Sequence, residues 1–417
     1  MKKRYVKAVS LILALGLILM SLAACGSSSS GSSDTSDSEI LYTIGVAVYD
    51  SSDPEMGIYY SYYHEYIEES FPVDFLLSDT LSSTDDVIAF IEEVKEQGGS
   101  GIIAFYAPDL EAIVEACEEN EMYIVLGSSS ISDEEYEAVK DNEYFLGVIG
   151  PDEEEEYNAG VEMAENFIDG GAESFLILSG GSADEENYMH YTRTVGMLET
   201  LESELGMEYP SSAEELAATD EVVVVETGDY AVIVVPGYLD YTGYDLFKDA
   251  IDDYDFDAIL AACGVSDVLD ELKEEIKTSE KLTLVGVIDC FSTENYDAFE
   301  TTDANGNSLI NYVKGKYSSM VAPAFVAMFN ALSGYMDLVK PDGEAFRLYQ
   351  TYWTAASEEE YAELYGYTQS LFENAYSASD LMEVMGVYNE DATYEAFAEL
   401  TQSTDVDSVM SRIEANE

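Results

Sequence analysis

Residues 144–181 read YFLGVIG (144–150), PDEEEEYNAGVEMAENFIDGGA (151–172) and ESFLILSGG (173–181). A short apolar run, a breaker, an amphipathic segment of about five turns, paired glycines and a second apolar run make the pattern of strand, helix and strand, a βαβ unit. Gly150-Pro151 stops the first strand, and the acidic run Asp152–Glu156 suits the positive end of a helix. Val161, Ala164, Phe167 and Ile168 give that helix one apolar face. Its opening differs from those of the other units, so Pro151-Asp152 reads as a crossing between two α/β lobes with a cleft beside it.

Working outward, the alternation recurs on both sides. Before this unit come YTIGVAVYD, IYYSYYHEYIEESF, VDFLLSD, TDDVIAFIEEVKEQGG, SGIIAFYA, LEAIVEACEENE and MYIVLGSS. After it come NYMHYTRTVGMLETLESEL, VVVVETG, YTGYDLFKDAIDDY, FDAILAACG, VSDVLDELKEEIKT and KLTLVGVID. Short apolar strands alternating with helices predict parallel sheets covered on both faces. Ligands of such sheets sit at the carboxyl ends of the strands, so the loops Tyr49–Gly57, Phe105–Leu110 and Gly127–Ile131 are expected at the cleft.

The amino terminus is an export signal. Lys2, Lys3, Arg4 and Lys7 precede an apolar run from Val9 to Met20 and the sequence Leu22-Ala23-Ala24-Cys25. The run is shorter than the ~20 residues that span a bilayer. The segment resembles bacterial lipoprotein signals, which implies cleavage before Cys25, lipid on its sulfur and anchoring at the extracytoplasmic face of the cell membrane. Residues 25–39, rich in Ser and Gly, read as a flexible tether.

The chain carries 16 Lys and Arg against 86 Asp and Glu, a formal charge of -70. Four of the basic residues lie in the first 24 positions, so the mature chain has 12 against 86, or -74. Such a balance excludes most nucleic-acid partners, because phosphate contact needs a basic footprint. Two histidines and no HExxH, GxSxG or P-loop motif give no expectation of catalysis, and neither a cofactor nor a metal is expected. DANGN, residues 303–307, departs from a calcium loop in glycine position and final ligand, and reads as a turn. With Cys25 lipidated, three thiols remain. Cys263 and Cys290 both follow second-lobe strands, where either a disulfide or a pair of buried free thiols is possible.

The order of elements, with IGVAVYDSSDP early, GVIGPDEEEEYNAGVEMAENFI in the middle, Arg193-Thr194-Val195-Gly196 on a helix and LVGVID late, resembles type 1 periplasmic binding proteins over about residues 41 to 356. Within them it is most similar to the ribose/galactose-type solute-binding proteins of ABC transporters. The resemblance implies an α/β fold of two Rossmann-like lobes with parallel sheets, joined by a three-segment hinge. Its ranges are 41–150 with 313–340 for lobe 1 and 151–312 with 341–356 for lobe 2, followed by a helical extension, 357–417.

The same resemblance implies a ligand role for Arg193, whose planar guanidinium donates to two oxygens at once, for Asp289 after LVGVID, and for Asp53 and Asp109 in the first lobe. Helix capping is the competing reading for Asp109 and Asp289, and ion pairing with a surface carboxylate for Arg193. Glu55-Met56 stands where two aromatic residues usually sandwich a sugar ring, Gly127-Ser128 where an Asp-Arg pair is usual, and Cys263-Gly264 where an Asn-Asp pair is usual. Tyr106 is among the tyrosines placed to replace the lost stacking. Glu55, Asp53, Asp109 and Asp289 with Arg193 as the main cation make an acidic cleft, which suits a neutral or cationic ligand, a sugar first. The expected function is capture of a small polar solute by lobe closure and its delivery to an ABC permease. Signalling to a membrane histidine kinase or chemoreceptor is the alternative.

Overall fold

In the computed structural model, residues 42–180, 188–237, 241–265, 284–302, 306–369 and 375–416 are described. The signal, Cys25, the tether, the segment VSDVLDELKEEIKT beyond its first residue and the start of DANGN lie outside the described residues.

Two sheets form. The first contains β1 (Tyr42–Ala47), β2 (Val73–Leu77), β3 (Gly101–Ala104), β4 (Tyr123–Gly127), β5 (Phe145–Gly150) and β12 (Phe346–Tyr349) in the order β12-β5-β4-β3-β1-β2, all parallel. Alternation along a strand sends neighbours to opposite faces. Ile102 of β3 accordingly joins the cluster under helices α2 (Thr84–Glu96), α3 (Leu110–Glu119) and α4 (Asp133–Val139), and Ile103 joins the opposite one. That opposite face is covered by α1 (Pro54–Tyr62), which continues through a π turn at Tyr63–Ile67. It brings Tyr59, Tyr62, Tyr63 and Tyr66 into the core.

The second sheet has the order β13-β11-β10-β9-β6-β8-β7. Its members are β6 (Ser174–Leu178), β7 (Val223–Thr227), β8 (Tyr230–Val235), β9 (Ala258–Ala261), β10 (Leu284–Cys290), β11 (Tyr312–Lys316) and β13 (Trp353–Ala355). Both of its edges are antiparallel, which departs from the all-parallel expectation. VVVVETG, expected as a strand by itself, is the first arm of a hairpin completed by DYAVIVV, and Gly228, at φ +66, supplies the left-handed backbone its turn requires. Two helices, α5 (Glu153–Asp169) and α6 (Tyr188–Leu205), lie against each other in this lobe. Glycines let them touch backbone to backbone: a Cβ at Gly160 would stand 1.9 Å from the Arg193 carbonyl oxygen, and one at Gly196 would stand 2.3 Å from that of Tyr157.

The chain passes between the sheets three times. It leaves β5 at Gly150 and enters α5 at Glu153, so one crossing is Pro151-Asp152. The other two differ from the boundaries expected at 313 and 341. β11 belongs wholly to the second sheet, so that crossing follows Lys316, and α10 (Ala322–Leu332) then returns to the first lobe. β12 belongs to the first sheet and β13 to the second, so the last crossing is Gln350–Tyr352. Lys314 and Lys316 at the end of β11 are both buried there by ion pairs.

The extension forms α11 (Glu358–Gln369), α12 (Ala378–Glu383), α13 (Tyr394–Gln402) and α14 (Val406–Asn416). It holds the second lobe through Tyr361, whose hydroxyl donates to the Ser292 carbonyl at 2.9 Å. It holds the first through Asn330, which donates to the Val384 carbonyl and accepts from Gly386 N–H, and through Tyr62, which donates to the Tyr376 carbonyl. Among the described residues no helix is long and apolar enough to cross a membrane.

Candidate functional site

The α5–α6 contact places Arg193 under the opening of α5. Its Nε donates to Glu156 Oε2 at 2.6 Å, one terminal nitrogen to the Ala262 carbonyl at 2.8 Å and the other to the Tyr352 hydroxyl at 3.0 Å. Tyr352 in turn donates to Glu156 Oε1 at 2.7 Å, and its backbone N–H donates to Glu155 at 3.0 Å. Arg193, Glu156 and Tyr352 are buried, so the charges are desolvated and must satisfy each other. Burial opposes the Arg193 charge, but Glu156 and Tyr352 raise its pKa further. Here the guanidinium ties the second lobe to the last crossing.

Nearby His190 is buried, with Nδ1 at 3.0 Å from the Gly180 carbonyl. Burial first, and the Arg193 charge second, push its pKa down to about 3. The ring is neutral near pH 7 and Nδ1–H is the donor.

From the first lobe, α1 reaches across. Asp53 caps it, Oδ1 accepting from Glu55 N–H at 2.7 Å and Met56 N–H at 3.4 Å. Glu55 then meets Lys316 of β11 in the second lobe, at 2.9 Å, the two side chains being 14% and 9% exposed. Lys314, two residues earlier on the same strand face, pairs with Glu155 at 3.3 Å and Glu162 at 2.9 Å. α1 also packs against β10, the strand that carries Asp289. Asp289 Oδ2 accepts from Asn295 Nδ2 at 2.7 Å. Gly264 leaves it room, since a Cβ there would come within 2.9 Å of the carboxylate. Burial, then the Glu55 charge, pushes the Asp53 carboxyl up to about 6. Burial, then the charges of Asp53 and Glu55, pushes Asp289 up to about 7.

Of the residues singled out in the sequence, Asp53, Glu55, Asp289 and Arg193 thus converge on the lobe interface. Ser128, at φ +52, stands at its first-lobe side and shares a 2.7 Å hydrogen bond with Tyr59. Met56 does not join them: it is 2% exposed and part of the first-lobe core. Tyr106 packs against the cluster under α2 and α3. Asp109 is exposed and caps α3, accepting from Ala112 N–H at 3.2 Å. Cys117, Cys263 and Cys290 are buried free thiols. A shallow groove of about 310 Å³ runs along the mouth of the interface, with Ser52 and Asp53 from the first lobe, Thr293 and Glu294 from the second, Ser318 from a crossing and Thr368 from the extension. Among the described residues no group of three or more His, Cys, Asp or Glu is placed to hold a metal ion.

Sequence reasoning missed Glu156, Lys316, Tyr352 and Asn295. Glu156 had a signal: it shares a helix face with Ala159, Gly160 and Met163, all buried.

No family model matches the chain, and no curated protein matches it. Solved structures do resemble it. The periplasmic binding protein of the arabinose ABC transporter from Shewanella sp. ANA-3, bound to α- and β-L-arabinofuranose, is 13% identical with a TM-score of 0.54, over 78% of this chain and 95% of that one. A solute-binding protein of an ABC transporter from Actinobacillus succinogenes 130z with bound D-allose is 12% identical with a TM-score of 0.54, over 78% and 100%. A putative LacI transcriptional regulator from Bacteroides fragilis is 10% identical with a TM-score of 0.50, over 77% and 99%. With two lobes of this topology, three crossings and these neighbours, the chain has the fold of the type 1 periplasmic binding proteins.

Proposed function

We propose that this chain is an extracytoplasmic solute-binding protein, held at the outer face of a bacterial membrane by lipid on Cys25, which captures a small polar solute by lobe closure and delivers it to an ABC permease. The observation that carries the reading is the interface itself. α1 of one lobe packs on β10 of the other, and its Glu55 pairs with Lys316 at the end of β11, at the carboxyl ends of parallel strands where such folds bind ligands. A solute contacting both lobes stabilises the closed form, and the permease recognises that form. The arabinofuranose and D-allose held by similar structures bring a sugar to this chain as the first class to try. We assign contact with it to Asp53, Glu55, Ser128, Arg193 and Asp289, which lie at or beside the lobe interface. Binding proceeds without turnover.

A thermal-shift screen of the full chain in mild detergent against pentoses, hexoses and inositols tests this. A true ligand at a hundredfold its dissociation constant adds about 2.7 kcal/mol of stability, visible as a higher melting temperature. Chemical change in a bound solute would replace the receptor reading with a hydrolase.

A further inference from the structure

Among the described residues three basic side chains stand at or beside the lobe interface, and each is paired with a carboxylate of the protein. Arg193 pairs with Glu156, Lys316 with Glu55, and Lys314 with Glu155 and Glu162. Like most carboxylates of this acidic chain, two that face this interface have no cationic partner among the described residues: Asp53 at the start of α1 in the first lobe, and Asp289 at the end of β10 in the second. Their elements pack on each other across the cleft, and Asp53 also lines the groove at its mouth. Asp53 accepts from backbone N–H groups and the Tyr49 hydroxyl, and Asp289 from the Asn295 amide and the Cys290 thiol, none of which carries a full charge.

Asn295 adds an independent observation. It is fully buried, and its two amide N–H groups go to Asp289 Oδ2 at 2.7 Å and the Cys290 carbonyl at 2.8 Å. Both partners are acceptors, which fixes the amide orientation and leaves Oδ1 without a hydrogen-bond partner beside the Asp289 carboxylate. Beside Asp289 the second lobe therefore holds a buried acceptor that none of the described residues satisfies.

We propose that the solute closing these lobes carries a primary ammonium group, held between Asp53 and Asp289. This rests on the solute-binding reading and narrows it to amine-bearing molecules such as an amino sugar or a short diamine. An ammonium offers three N–H donors and no acceptor, which matches a site made of acceptors. A neutral polyol would leave unrelieved the repulsion that Asp53 exerts on the Asp289 carboxyl, and an anion would add to it. The raised carboxyl pKa values of Asp53 and Asp289 agree with charges that lack a counterion.

Probes that differ in one group decide the matter: D-glucosamine against D-glucose, and putrescine against butanediol, titrated calorimetrically into the full chain in mild detergent. The amine of at least one pair is expected to bind about tenfold tighter or more than its neutral partner, a difference of about 1.4 kcal/mol. Asp53→Asn and Asp289→Asn should each remove that preference, and Asp53→Asn alone suffices if the other variant does not fold. Equal or tighter binding of the neutral partners, or a sugar hit while both amines fail, overturns the ammonium and leaves the solute receptor standing. Silence from the amines and the whole sugar panel overturns both.

Discussion

Asp289 shows at a single side chain how the interface is poised. Burial, with Asp53 and Glu55 nearby, keeps its proton up to about pH 7 in the folded chain, against an ordinary value of 3.8. The folded state therefore binds more protons than the unfolded state between those values, and stability falls as pH rises through that window. Asp289→Asn keeps an acceptor for Asn295 and removes the charge. It should raise the melting temperature of the unliganded protein by a few degrees at about pH 8, and by less at about pH 5. Thermal melts at the two pH values check this, and an equal gain at both would mean that Asp289 is ordinarily solvated. Cys290, buried beside it, has a pKa raised by burial and then by the Asp289 charge, so it stays a thiol and not a thiolate at neutral pH.

At the scale of elements, the α5–α6 contact decides where the Arg193 network can form. Gly160→Ala puts a methyl 1.9 Å from the Arg193 carbonyl oxygen, and the helices must separate to admit it. A loss of about 1–3 kcal/mol is expected in urea unfolding. An unchanged midpoint would show that the helices do not need this close approach. The helix α5 was legible from its 3.6-residue spacing, and the crossing before it from Gly150-Pro151. The β7–β8 hairpin was not, because two apolar runs joined by ETGDY look like one strand and a loop unless Gly228 is taken as its turn residue. The positions of Arg193 and Asp289 were legible through likeness to a family, but their partners were not. Glu55 and Lys316 lie 261 residues apart and Arg193 and Tyr352 lie 159 apart, and periodicity carries no information over such distances. Asp109 and Met56 failed for a local reason: a carboxylate at a helix start serves the cap, and a methionine on a core-facing turn serves the core.

For the whole molecule, the extension is fastened to the crossings as well as to both lobes. Ser318 donates to the Thr368 carbonyl at 2.6 Å, Thr351 N–H to the Thr404 hydroxyl at 2.9 Å, and the Trp353 indole N–H to the Thr404 carbonyl at 2.9 Å. Trp353 also stacks on Tyr317 of the neighbouring crossing, with ring centroids 4.0 Å apart. Trp353→Phe would keep the stack and leave a buried carbonyl unpaired. It should cost about 1–3 kcal/mol of stability by denaturant titration, and no loss would mean the indole bond is not formed in solution. α11 packs on the second lobe and α12 and α13 on the first, with Thr404 bonded to Thr351 and Trp353 between them, so a parting of the lobes would load those bonds. The extension is thus a strap across the hinge, and its bonds at Thr404 must give before the lobes can separate.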